Sequence, residues 1–176
     1  MVNTELVIDF VNSLDLTPYE EQFESPRALV GWLAERDLIA PGARASQAEL
    51  AEAVGVREAL RDLLGAQNGL PADISAATAV IDAAAQRARL GVRFADGATR
   101  VEPAASGVRG AVGRILAEVS AAMADGTWSR LKACRADDCR WVFLDTAKNH
   151  SRAWCSMQTC GNREKVRAYR ERHQSR

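Results

Sequence analysis

The sequence predicts an α+β fold: a mainly helical body with a small β-hairpin, followed by a compact C-terminal cysteine module. Three observations predict it. Apolar residues recur at helical spacing through most of residues 1–126. The stretch 91–102 alternates instead, around an Asp96-Gly97 turn signal. All four cysteines lie beyond residue 133, in two short-spaced pairs.

Taken in order, Leu6, Val7, Phe10, Val11 and Leu14 share one helical face. Asp9 and Asn12, one turn apart, are candidates either to tie down the loop at Thr17–Tyr19 or to contact a small ligand. Ser25-Pro26 starts a second helix, 26–36, with Leu29, Val30, Trp32 and Leu33 inward. Ser46 caps a third over 47–64, which Gly65 to Gly69 should end. Arg57 and Arg61 stand one turn apart on it, as a carboxylate or phosphate contact or as a solvated face paired with Glu58 or Asp62. An alanine-rich helix at 71–87 with Ile74, Ala77, Val80, Ile81 and Ala84 on one inward face, the hairpin, and a helix at 109–123 with Val112, Ile115, Leu116 and Val119 at core spacing complete the body, which Asp125-Gly126 closes. The expected domains are 1–126 and 127–176.

The cysteines read Cys134-x4-Cys139, fifteen intervening residues, then Cys155-x4-Cys160. Two such pairs can fold back so that four sulfurs converge on one tetrahedral ion, and Zn²⁺ suits four thiolates. Four ligands close the shell, so the site is structural, and His150 and His173 are not needed as ligands. Two disulfides are the rival use, with a cluster or redox role behind it. The opening MVNTELVIDF lacks a basic, apolar, small-residue leader pattern, and the expectation is a cytoplasmic chain whose thiols stay free for metal. The order of the segment is an extended approach at 128–133, first knuckle, β-prone 141–144, polar turn 145–152, a return at 153–154 to the second knuckle, and a final helix, which resembles a treble-clef finger.

Residues 154–163 read WCSMQTCGNR, and with Trp141, Phe143, Asp145 and Asn149 they resemble the CGNR zinc-finger family. Leu6–Ser13, LVIDFVNS, is similar to the LxLDFVNT opening of the ABATE-type helical domain that precedes such fingers, with Ile8 and Ser13 as mild departures. The resemblance implies a bacterial transcriptional regulator with a sensing body and a zinc finger.

Charge agrees with that division. Residues 1–127 hold 11 Lys/Arg against 18 Asp/Glu, and residues 128–176 hold 12 against 5. An acidic body joined to a basic end suits a nucleic-acid binder whose contact surface is confined to that end. On the last helix, Val166, Tyr169 and His173 share a face expected to pack on the finger's own strands. Asn162, Arg163, Lys165, Arg167 and Arg170 are the candidate DNA contacts, since arginine reads guanine and asparagine adenine in a major groove that admits a helix. Asn162 and Arg163 are equally candidates to support the metal site, Arg163 through backbone carbonyls or Asp145. The leading expectation is a zinc-dependent regulator bound to double-stranded DNA, with a small-molecule effector and a homodimer as further partners. The alternative is a protein-docking module whose basic surface zinc only shapes. No Ser/His/Asp set, phosphate loop or HExxH pattern points to an enzyme, and no apolar run approaches the roughly 18 residues of a membrane span.

Overall fold

The computed structural model describes residues 2–95 and 97–174. Side-chain caps set most helix starts. The Asn3 side chain accepts from Leu6 N–H at the head of α1 (Thr4–Val11), which buries Val7, Phe10 and Val11. The helix is shorter than its apolar spacing predicted. Asn12 and Ser13 turn the chain out, and Leu14 opens β1 (Leu14–Leu16), paired antiparallel with β2 (Tyr19–Glu21). The Thr17–Tyr19 turn between them is held by Asp15, whose Oδ1 accepts from Thr17 N–H at 2.8 Å, and not by Asp9 or Asn12 as expected.

Ser25 caps α2 (Pro26–Ala34), with proline at its first position. Its Trp32 meets Phe10 and Phe23 with ring centroids 5.9 and 5.5 Å away, an aromatic cluster that joins α1, α2 and the loop between them. α3 (Gln47–Gln67) begins in a reciprocal Ser46–Glu49 capping box. It runs past the expected end at Leu64, through Gly65, and stops within the Gly65 to Gly69 stretch expected to end it. A Cβ at Gly65 would stand 3.3 Å from the Leu70 side chain and 3.4 Å from the Arg140 guanidinium, so this glycine serves close packing rather than termination. The helix ends at Asn68, before Gly69 in the left-handed region.

Asp73 caps α4 (Ile74–Ala88), which starts later than Pro71 and buries Ala77, Ala84 and Ala88. Ile74 and Val80, expected inward, are exposed. The hairpin forms as β3 (Leu90–Ala95) and β4 (Ala98–Pro103), in the register Leu90↔Pro103 to Ala95↔Ala98. Gly97 of its turn has φ +74°, and Asp96 lies outside the described residues. α5 (Gly107–Asp125) buries Val112, Ile115, Leu116 and Val119 as predicted, and left-handed Gly126 closes it.

After a 3-10 turn at Thr127–Arg130, β5 (Leu131–Ala133) pairs antiparallel with β6 (Val142–Leu144). Both strands fall in segments expected to be extended, 128–133 and 141–144, but they pair with each other. The two strands flank the first knuckle, and no return strand pairs with β6 at 153–154 among the described residues. A π-helical turn at Met157–Gly161 leads into α6 (Asn162–Gln174).

Gly126 stands where the domain boundary was expected, but packing crosses it. Leu131, Ala133 and Val142 belong to the same buried cluster as Phe10, Leu60, Leu64 and Ile115. The β5–β6 hairpin is therefore part of the core of the body. A second, smaller cluster holds Cys134, Ala136, Cys139, Phe143 and Cys160, with Trp141 and Trp154 against it.

Candidate metal centre and nucleic-acid interface

The first knuckle follows directly from β5. Cys134 N–H donates to Trp141 O at 2.9 Å, and the chain between them turns back on itself as Cys139 and Arg140 donate to Ala136 O at 2.9 and 3.1 Å. Arg140 takes a left-handed φ of +51° to complete the turn. The second knuckle is built by Ser156, whose Oγ accepts from Thr159 N–H and whose carbonyl accepts from Gly161 N–H at 3.0 Å. A Cβ on Gly161 would stand 2.5 Å from Met157 Sδ, so the glycine lets that thioether lie across the turn.

All four sulfurs lie within 4.8 Å of one another, with Cys139 to Cys155 at 3.7 Å and Cys155 to Cys160 at 3.8 Å. Thiolates about 2.3 Å from a tetrahedral zinc sit about 3.8 Å apart, whereas a disulfide needs about 2.05 Å. The cysteines are free, not bridged. Left to themselves the thiols do not all ionise. A hydrogen bond from Cys139 holds Cys134 down at about 5, while burial pushes Cys155 up to about 12. Its hydrogen bond with Cys134 likewise pushes Cys139 upward. A divalent cation is what allows four adjacent thiolates to coexist, and its binding releases the protons they keep. The donor set and spacing fit one structural zinc ion, held by Cys134, Cys139, Cys155 and Cys160.

The loop between the knuckles closes on Asp145, which is 0% exposed. It pairs with Lys132 Nζ at 2.7 Å and accepts from Ala147 N–H and Arg152 N–H, both at 3.0 Å. Burial alone would raise its pKa; Lys132 and the two amides outweigh that and hold it below the ordinary carboxylate value. Lys132 also donates to the His150 carbonyl, fixing the loop from its far side. Arg152 reaches on to Cys155 O at 2.6 Å and lies 4.7 Å over the Phe143 ring.

Arg163 turns back to the finger. Its Nη2 bonds Asp138 of the first knuckle at 2.8 Å and approaches Cys160 Sγ at 3.6 Å. The expected link to Asp145 is therefore made to Asp138 instead, and it ties the two knuckles together. Asn162 donates to Gln158 O at 3.2 Å. The rest of α6 projects into solvent. Among its residues of described burial, 162–173, only Glu164 and Ala168 are partly covered, which puts Asn162, Val166, Tyr169, Arg170 and His173 on the outward side at the helical period. The face expected to pack on the finger is thus the exposed one: Val166 is 48% and Tyr169 56% exposed. His173 stacks on Tyr169 at 4.1 Å instead. Lys165 is exposed on one flank, and Arg167 pairs with Glu164 at 3.3 Å on the other.

The residues expected for a small ligand do not converge. Asp9 faces a groove and pairs with Arg36 at 3.5 Å. Asn12 is buried, and its amide exchanges hydrogen bonds with Val142 of β6. Arg57 and Arg61 are 2% and 1% exposed rather than solvated. Arg57 grips Glu21 through two bonds of 2.7 and 2.8 Å, and both arginines pair with Glu58. Asp62 pairs not with them but with Arg140 of the first knuckle, at 2.7 Å.

Sequence reasoning missed the residues that dock the finger. Asn68, read only as part of a break, donates to Ala133 O and Ala153 O, both at 2.8 Å. Nothing local in the sequence points from a helix end to partners so far along the chain. Lys132 did leave a signal: a single charge inside an apolar strand must find a buried partner.

A helical body whose core takes in the hairpin of a four-cysteine zinc site defines a zinc-binding protein with a basic projecting helix. Two family models match it: the CGNR zinc finger over residues 130–173, and ABATE, described as a putative stress-induced transcription regulator, over residues 4–134. The chain belongs to the ABATE family and carries a CGNR zinc finger at its C-terminal end. A search of curated proteins returns no match.

Proposed function

We propose that this zinc-binding member of a transcription-regulator family binds double-stranded DNA through the outward face of α6. The observation that carries the reading is the placement of charge on that helix. At the helical period Glu164 and Glu171 fall on the side away from Asn162 and Arg170, so the acids do not interrupt the presented surface. Arg170 sits on that surface, and Lys165 and Arg172 lie together on one flank of it, all exposed. Such residues can reach phosphates, and the amide of Asn162, exposed on the same face, is a group able to read a base edge. Arg167 joins them, because an exposed ion pair like that with Glu164 contributes little and releases easily. Arg163, bonded to Asp138, acts from behind by holding the knuckles in place.

The test is fluorescence anisotropy of a labelled random duplex titrated with the zinc-loaded chain and with a Lys165→Glu/Arg170→Glu variant. Binding in the micromolar range expected of non-specific contacts, lost in a variant that keeps its zinc, supports the reading. Equal binding by both proteins, or none by the native chain at low salt, overturns it. The exposed Val166, Tyr169 and Met157 favour the second reading, a basic and partly apolar surface for a protein partner, in that last case.

A further inference from the structure

Among the described residues, β4 has a neighbouring strand on one side only. Five consecutive residues, 99–103, line a groove of about 1370 Å³ floored by α5 and walled on its far side by α1. Neighbouring side chains of a strand point to opposite faces, so a groove that meets all five meets the strand's edge. The edge carries unpaired backbone groups. Ala104 N–H donates to Arg89 O at 3.2 Å, continuing the β3–β4 ladder. At the two-residue alternation of an antiparallel pair, the backbone groups of Thr99, Val101 and Pro103 then point the other way, into the groove. An exposed edge of this kind is a template for another strand.

Charge decides which strand fits. Within the hairpin Arg100 lies directly across from Arg93, and Glu102 across from Gly91. Neither Arg100 nor Glu102 has an ion-pair partner among the described residues. We propose that the free edge of β4 pairs antiparallel with β4 of a second copy, about a twofold axis at Val101. That register sets Arg100 opposite Glu102 of the second copy, and Glu102 opposite its Arg100. A slip of two residues either way sets Arg100 against Arg100 or Glu102 against Glu102, so only the Val101-centred register pairs both charges. Pro103, which has no N–H, ends the pairing on each side.

The same arrangement covers an apolar surface. Val92 pairs with Val101 and Phe94 with Thr99 on the face that turns toward the body, yet Phe94 is 84% exposed. Joining two hairpins into one four-stranded sheet doubles that face and lays it over the groove floor at Ala117 and Ala121. A twofold interface is self-complementary by construction, and one strand carrying both charges satisfies it with itself.

The experiment is sedimentation of the zinc-loaded full chain without DNA, over a concentration series. The native chain should form dimers. Arg100→Glu or Glu102→Arg alone should weaken the dimer by about tenfold or more, and the double variant Arg100→Glu/Glu102→Arg should restore it. Both substitutions fall on exposed side chains, and the double variant controls for folding. A native chain that stays monomeric up to about 100 µM overturns the proposal, as does a dimer that ignores the single reversals or is not rescued by the double.

Discussion

Asn12 and Val142 exchange two hydrogen bonds: Asn12 Nδ2 donates to Val142 O at 2.9 Å, and Val142 N–H donates to Asn12 Oδ1 at 2.8 Å. The side-chain amide thus stands in for a neighbouring strand along the free edge of β6. It joins the DFVN stretch at the end of α1 to the finger, 130 residues further along the chain.

Replacing Asn12 with alanine leaves a buried N–H and a buried C=O unpaired. The expected cost is about 2–4 kcal/mol, read as a lower denaturant midpoint at unchanged slope. An unchanged midpoint would mean that the hairpin does not depend on this bond.

Zinc should stabilise the body as well as the finger, because Leu131 and Val142 are part of the body's core. Removing zinc with a chelator should lower a single, cooperative thermal transition of the whole chain. Two transitions, with that of the body unmoved, would show that the hairpin docks without contributing to the fold.

Acid should weaken the link between Glu21 and Arg57. Burial would raise the Glu21 pKa, but the Arg57 guanidinium and the Phe23 N–H outweigh it and hold it below the ordinary 4.5. A lowered native pKa means that the stabilisation is complete above about pH 4.5 and is lost as pH falls through the native value. Glu21→Gln should therefore cost about 2–4 kcal/mol at neutral pH and flatten the acid limb of a stability profile. A profile parallel to that of the native chain would contradict this.

Arg163 supports the metal site in this account. Arg163→Ala should lower zinc affinity by about 10–100-fold in a competition with a chromogenic chelator. Unchanged affinity together with weakened DNA binding would place Arg163 on the DNA instead.

Local chemistry was the legible part of the sequence. Ser25, Ser46 and the Asp-Gly turn set element starts and ends within a few residues of themselves, and the cysteine spacing identified the metal centre. What was not legible depended on distant partners. Gly65 reads as a breaker until Leu70 and Arg140 fill the space around it. Arg57 and Arg61 read as surface until Glu21 and the carbonyls of Val11 and Leu14 arrive to satisfy them. On α6, Val166 and Tyr169 have a core-like spacing, but the finger offers them nothing to pack on. Their period located the face correctly and its environment wrongly.

The most direct test of the account is the salt dependence of duplex binding by the zinc-loaded chain, beside Lys165→Glu/Arg170→Glu and Arg163→Ala loaded to full zinc occupancy. The logarithm of the affinity should fall linearly with that of salt concentration, and the double variant should lose about two from the slope. Arg163→Ala should leave the slope unchanged once zinc is bound. A double variant with the native slope would contradict the placement of the DNA contacts on α6.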